Sequence, residues 1–275
     1  MFYLDFETGK NAIYGGWFFG GGGGGMPKGG LDVLESALTS GKIKVSAMDE
    51  FKPEDIIVTA SLVGSPSTGK DAVTTEHCRR VYSLFIDSYK SPNNAIISNE
   101  TGAHSITNGW IAAAVNGLPI VDGACNGRAH PTGVMGAMGL DSKPGYQTLQ
   151  VAVGGTGSND LAMSARGSIA STSKLVREAS TLSGGFITVL RNPIDAAYVK
   201  ENSAAGALTV CAKIGELFLR YEHKPDKLLD GLHEKLNCQV LCRGTTEDFY
   251  LTAKGGFDVT NANYPNTTGY LYGFN

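Results

Sequence analysis

An α/β fold, a sheet with packed helices, is the expectation for this chain, and three observations carry it. Short β-branched runs alternate with amphipathic helical spacings through the first half, the pattern of strands flanked by helices. Glycine and proline clusters punctuate that alternation. Hydrophobic residues make up 42% and charged residues 18% of 275 positions, enough apolar surface for a core and too little charge for a disordered chain.

The elements follow in order. The chain opens with Ala12-Ile13-Tyr14, Gly15-Gly16 and Trp17-Phe18-Phe19, then six glycines, Gly20 to Gly25. Leu31 to Leu38 reads as a helix because Leu31, Leu34, Ala37 and Leu38 share one face, and Gly41 stops it. Ile43 to Ala47 and Ile56 to Val63 read as strands, the second closed by Gly64-Ser65-Pro66. Glu76 to Tyr89 has helical spacing through Val81, Leu84 and Phe85. Ile96-Ile97 is a short strand, Ile106 to Val115 a helix, and Pro119 to Val121 another short strand. Leu149 to Val153 is a strand, Leu161 to Leu182 mainly helical despite Gly167, Phe186 to Leu190 a buried strand, and Ala204 to Arg220 a helix. Beyond Leu236 the character turns to short β-like pieces: Gln239 to Leu241, Phe249 to Leu251, and Gly256 to Val259. The boundary therefore falls near Leu236, with an α/β domain over 1–236 and the start of a β-rich segment over 237–275.

Composition narrows the function. Lys+Arg 23 against Asp+Glu 26 leaves a net charge of -3 with no basic stripe, which argues against nucleic acid as the main partner. The best apolar stretch, Trp110 to Val121, is broken by Asn116-Gly117 and falls short of the ~20 residues of a membrane span. The first residues lack the basic and apolar regions of a signal peptide. Five cysteines at irregular spacing suit a reducing cytoplasm better than a disulfide framework.

Two polar loops carry the candidate chemistry. The richer one is Asp122-Gly123-Ala124-Cys125-Asn126-Gly127-Arg128-Ala129-His130, directly after a short strand, where α/β sheets place their ligand crevice. Asp122 suits a metal ligand or base, and Cys125 a thiolate nucleophile or ligand. Arg128 suits a bidentate hold on a carboxylate, with Asn126 beside it, and His130 a proton shuttle. The competing reading has Asp122 and Asn126 capping turns, Arg128 pairing with Asp122, and Cys125 and His130 packed inside. The second loop, Asn99 to Ser105, also follows a strand. If both strands share one sheet, Glu100 and His104 face Asp122 and His130, a set suited to zinc.

The glycine run offers backbone N–H groups, at Gly22, Gly23 and Gly24 among others, for an anion or a close-lying ligand. Gly20, Gly22 and Gly25 also satisfy a dinucleotide fingerprint with Asp49 as its ribose-binding acid, although six glycines match almost any glycine pattern. A tight turn where no Cβ fits explains the run equally. Cys238 to Cys242 has the wrong spacing for a zinc knuckle.

Taken in order, Gly20 to Gly30, Gly64-Ser65-Pro66, Glu100-Thr101-Gly102, Gly117-Leu118-Pro119-Ile120-Val121-Asp122 and Gly127-Arg128-Ala129-His130-Pro131 resemble the DUF917 family. Arg177, Ser183-Gly184-Gly185, Gly206-Ala207-Leu208 with Ile214-Gly215, and Gly255-Gly256-Phe257-Asp258 extend the resemblance along nearly the whole chain. Its better-known members are the S-methyl thiohydantoin desulfurases, often described as hydantoin-utilisation proteins. The resemblance implies an α/β amino-terminal domain, a mainly β carboxy-terminal domain, and metal-assisted attack of water on a five-membered cyclic ureide or thio-ureide. Asp122, Arg128 and Glu100 carry over. Ala124, His130 and Thr132 stand where the family has an acidic, an aromatic and an acidic residue, and Cys125, Asn126 and His130 mark a divergent subgroup. The β-rich segment looks cut short after Gly256-Phe257.

The expectation is therefore a hydrolase of a small cyclic amide or thioamide. Asp122 and Glu100 would position a divalent metal, zinc first, or a water; His130 or His104 would move protons; Arg128 would anchor substrate. Its partners are a small-molecule substrate and further copies of itself in a homo-oligomer. The rivals are a nucleotide-dependent enzyme using the glycine run and a non-catalytic protein that keeps the pocket.

Overall fold

The structure is a computed structural model, and it describes residues 1–64, 73–239, 247–254 and 257–263. In chain order the first half comprises β1 (Phe2–Tyr3), α1 (Phe6–Gly20), α2 (Pro27–Ser40), β2 (Lys44–Ser46), β3 (Ile56–Gly64), α3 (Thr75–Tyr89), β4 (Ala95–Ser98), α4 (Trp110–Asn116) and β5 (Ile120–Ala124). Then come β6 (Thr148–Gly154), β7 (Leu161–Gly167), α5 (Ile169–Leu182), β8 (Phe186–Asp195), α6 (Ala196–Asn202), β9 (Ala204–Ala205), α7 (Ala207–Arg220) and α8 (Pro225–Leu236). A hairpin of β10 (Glu247–Lys254) and β11 (Phe257–Asn263) follows.

The main sheet has the order β1-β2-β5-β4-β3-β8-β6-β7, with β9 paired to β5. Strands β2, β5, β4 and β3 run parallel to one another, and β8, β6 and β7 extend the sheet in antiparallel fashion. Parallel strands are stable only with both faces covered, and the period-two alternation supplies two cores. Ile96 and Ile120 join Ile13, Leu34, Phe85 and Trp110 beneath α1 to α4 on one face. Their chain neighbours Ile97 and Val121 turn to the other face, with Ile57, Cys125, Met138, Leu140, Ile169 and Val199.

The α/β expectation holds, and most strands lie where the pattern put them. Three boundaries differ. Leu161–Gly167 is a strand and not the start of a long helix: Leu161, Met163 and Ala165 alternate with exposed Ala162, Ser164 and Arg166, and the stretch pairs with β6. The helix begins only at Ile169, where Ser168 caps it through the Ser171 N–H. Gly109, at φ 89°, separates a 3-10 turn at Ser105–Thr107 from α4, so the helix expected from Ile106 starts at Trp110. Ala204 and Ala205 pair with Ala124 and Gly123, which delays α7 to Ala207.

Helix α1 was unforeseen, because glycine is a poor helix former. Its glycines are buried where α1 crosses α7: a Cβ on Gly15 would lie 1.8 Å from the Cys211 carbonyl oxygen. Helix α8 was also unforeseen; Pro225 opens it and Leu232 is its buried residue. Phe249–Leu251 and Phe257–Val259 fall within β10 and β11. Val240, Leu241, Cys242, Ser65-Pro66 and Gly255-Gly256 lie outside the described residues.

The α1–α7 contact generates a test. Gly15→Ala must push the two helices apart, and the expected loss of stability is about 1–3 kcal/mol, read from urea unfolding. An unchanged midpoint would contradict this packing.

Candidate functional site

Neighbouring parallel strands β4 and β5 deliver the two polar loops to the same end of the sheet. The loops are laced together by backbone bonds: Cys125 N–H to Ser98 O (2.8 Å), Asn126 N–H to Asn99 O (3.2 Å) and Thr101 N–H to Asn126 O (3.2 Å). Two of the expected residues meet across this seam. Glu100 Oε2 accepts from the His130 backbone N–H at 3.0 Å and lies 3.2 Å from His130 Nε2, and both side chains are buried.

The ring's proton can be placed from its surroundings. Nε2 also lies 3.2 Å from the Asn99 carbonyl oxygen. The two acceptors are nearer than the Asn99 Nδ2 donor, which lies 3.5 Å from the same nitrogen, and they favour the tautomer in which Nε2 donates and Nδ1 bears the lone pair. Nδ1 is buried and makes no hydrogen bond. Burial holds the imidazole below its ordinary value of 6.5, outweighing the opposite pull of Glu100 and of the Asn99 and Thr132 backbone carbonyls; Arg191 lowers it further. Asn99 is itself fixed by Asn108, whose Nδ2 donates to Asn99 Oδ1 at 2.7 Å. Gly136 leaves the ring its space, since a Cβ there would lie 2.3 Å from His130 Nε2.

The other expected residues stand apart from this pair. Asp122 faces α7: Oδ1 accepts from the Thr209 N–H at 3.0 Å and Oδ2 from Thr209 Oγ1 at 2.5 Å. It thereby caps a helix whose own N-cap, Gly206, has no side chain to offer. His104 packs against the start of α2, where a Cβ on Gly29 would lie 2.8 Å from its Nδ1, and burial lowers its pKa. Cys125 is buried with Sγ 3.3 Å from Thr59 Oγ1; burial pushes its pKa up to about 11, so it is a thiol at neutral pH. Arg128 is exposed, its backbone N–H donating to Asn126 Oδ1 at 3.3 Å. No Arg128–Asp122 pair forms.

A divalent metal at Asp122, Glu100, His104 and His130 is not supported by this geometry. Among the described residues no three His, Cys, Asp or Glu side chains gather to hold an ion. The Glu100 carboxylate is engaged by His130, and the Asp122 carboxylate by Thr209. This donor set does not fit zinc.

The glycine run follows helix α1, whereas a dinucleotide fingerprint follows a strand. Asp49, its proposed acid, is exposed and ion-paired with Lys200. The structure thus lacks the context that a nucleotide site of this type needs. Gly21, Gly22, Gly24 and Gly25 have positive φ and turn the chain from α1 into α2. The turn lies on the site's loops, with the Cβ position of Gly23 2.9 Å from Ala129 Cβ and that of Gly24 2.6 Å from Ser105 Oγ.

Sequence reasoning missed Arg191 and Gln150. In β8, Arg191 stands opposite Thr59 of β3 and Gln150 of β6, so the three side chains share one face. The register with β3 slips between Ile57 and Thr59, and the extra residue of β8 is taken up at Asn192-Pro193, Asn192 having φ 54°. Bulges of this kind re-aim side chains beside functional sites. Arg191 is 2% exposed and its Nε has no partner; burial draws its pKa down to about 10, so it stays charged. A lone arginine in an apolar strand, followed by Asn-Pro, was the available signal.

Residues 10–165 match the S-Me-THD-like, N-terminal domain. The chain also resembles the crystal structure of a protein from Chromobacterium violaceum, with a TM-score of 0.70 and 19% identity over 94% of this chain and 74% of that one. That likeness establishes the fold. No curated protein matches the chain.

Two outcomes follow from these placements. Asp122→Ala removes the cap of α7 and is expected to cost about 1 kcal/mol in denaturant unfolding; an unchanged stability would contradict the capping role. His104 and His130 bind protons more weakly folded than unfolded, so their contribution to stability is full above about 6.5 and is lost as pH falls through their depressed folded values. Unfolding midpoints followed downward from neutral pH should fall, and less so in a His104→Asn, His130→Asn double variant. Parallel curves for the two proteins would contradict the assignment.

Proposed function

Because the chain belongs to the S-Me-THD-like family through the amino-terminal domain that residues 10–165 match, we propose that it is a hydrolase of a small cyclic amide or thioamide of the hydantoin or thiohydantoin kind. The observation that supports this reading is the buried Glu100–His130 pair with its unoccupied Nδ1. A neutral imidazole with one nitrogen held by a carboxylate and the other bare is the arrangement of an oriented general base.

In this reading a water beside Nδ1 gives its proton to the ring as its oxygen bonds to the C=O or C=N carbon of the substrate. The C–N or C–S bond then breaks, and the imidazolium returns the proton to the departing nitrogen or sulfur. Glu100 holds the ring and stabilises the transient positive charge. Cys125 stays a thiol and forms part of the wall. In this reading Asn126, the exposed Arg128 and Gly22 to Gly24 would form the outer rim that a substrate meets first. We also propose a homo-oligomer that covers β7, a seven-residue edge strand of the sheet.

The test is turnover of hydantoin, 2-thiohydantoin and S-methyl thiohydantoin by the purified protein, with ring opening or thiol release as readout. His130→Asn and Glu100→Gln should each lower kcat by about 10²–10⁴-fold. Ligand binding without turnover would instead make this a non-catalytic protein, and full activity in His130→Asn would remove the proposed base.

A further inference from the structure

A strand at the edge of a sheet leaves a row of N–H and C=O groups unpaired, and proteins blunt such edges with short strands, lysine, proline or bulges. The main sheet treats its two edges differently. At one end β1 is only two residues long. At the other, β7 runs for seven residues with neither lysine nor proline, and it pairs with β6 from Leu161 to Gly167 without a shift in register. Among the described residues no strand lies beyond it.

Each face of this edge carries surface that the chain itself does not fill. On one face the half-buried Leu161 and Met163 pack on the cluster of Val176, Ala179 and Ile187 beneath α5. One flank of α5 turns inward, where Arg177 donates to the Gly64 and Pro131 carbonyls. Leu175 and Leu182, two turns apart on the opposite flank, are 54% and 59% exposed. On the other face a groove of about 330 Å³ is lined by Glu76, Arg79, Arg80 and Asp87 of α3 and by Ala162 of β7. Arg80 is paired with Asp160. Three carboxylates thus meet two guanidinium groups, and one negative charge is left over. The single charged residue of β7, Arg166, is exposed, with Nη2 donating to the Ser88 carbonyl at the far end of α3.

We infer that two copies of this chain join through β7, edge to edge and antiparallel about Ser164, into one continuous sheet. A strand that pairs antiparallel with its own copy is two-fold symmetric, so every contact is made twice. Residues directly opposite each other point to the same face. In this register Arg166 of the partner subunit stands opposite Ala162, beside the groove with the surplus carboxylate, and no like charges meet within the strands. The two α5 helices fall on one side of the joined sheet, where Leu175 and Leu182 of each copy cover the seam above Leu161 and Met163. A foreign strand would need these matching features by chance, whereas a second copy has them by symmetry. This rests on the reading of β7 as the covered edge of a homo-oligomer and is independent of the chemistry at His130.

Sedimentation equilibrium on the full chain tests the pairing, and the wild type should sediment as a dimer. Ser164→Lys sets two lysines against each other at the two-fold axis, and Arg166→Glu adds a carboxylate to each groove. Each should raise the dimer dissociation constant at least about tenfold. The Leu175→Ser, Leu182→Ser double variant should do the same, whereas Trp17→Ser, which changes an exposed aromatic on α1, should not. Hydrogen exchange of the wild type needs no variant: amides of β7 should be slow in the dimer and fast once it is diluted apart. An oligomer whose dissociation constant is untouched by Ser164→Lys and Arg166→Glu would overturn this pairing and leave the homo-oligomer reading standing. A wild type that stays monomeric at about 100 μM would remove both, and slow exchange at β7 in that monomer would assign the edge to another segment of the chain.

Discussion

A single carboxylate, that of Glu100, grips both the backbone N–H and the ring of His130, and the shape of the site depends on this grip. Hydrogen bonds to a charged group are worth about 1.5–3 kcal/mol each, enough to fix a loop that glycine and proline would otherwise leave free. The same contact decides the chemistry. With Nε2 committed to oxygen acceptors, the lone pair resides on Nδ1, and burial keeps the ring neutral so that the lone pair is available.

The sheet makes this contact attainable. Strands β4 and β5 are parallel neighbours, so the loops that follow them leave the sheet side by side. Supports on several sides hold those loops. The glycine turn between α1 and α2 packs on Gly102, Ser105 and Ala129, and Asn108 fixes Asn99. Asp122, one strand position before the site, ties β5 to α7 and so belongs to the scaffold. The bulge at Asn192 turns β8 beside Arg191, placing a cation where the parallel and antiparallel halves of the sheet join.

Much of this was legible in the residues. The alternation in Ile56–Val63, Ile96-Ile97 and Pro119–Val121 marked the central strands, and the dense polar loops marked the crevice at their ends. The meeting of Glu100 with His130 followed from placing both loops after strands of one sheet. What stayed hidden has identifiable causes. Helix α1 is rich in glycines that lower helix propensity but allow the close crossing with α7. Leu161–Gly167 contains good helix formers, and its pairing with β6 overrode them, a tertiary effect that no local pattern reports. Asp122 belongs to the richest loop, yet its side chain lies on the opposite side of the strand from Val121, where α7 needs a cap. Arg191 is far from both loops in the chain and reaches the site only through strand pairing.

The most direct test of the account is the ¹⁵N spectrum of the His130 imidazole across a pH titration, assigned by comparison with His130→Asn. A neutral ring protonated at Nε2 at pH 7, with a pKa below the ordinary 6.5, is the expected result. A ring protonated at Nδ1, or one carrying both protons at neutral pH, would contradict the proposed base and the electrostatics built around it.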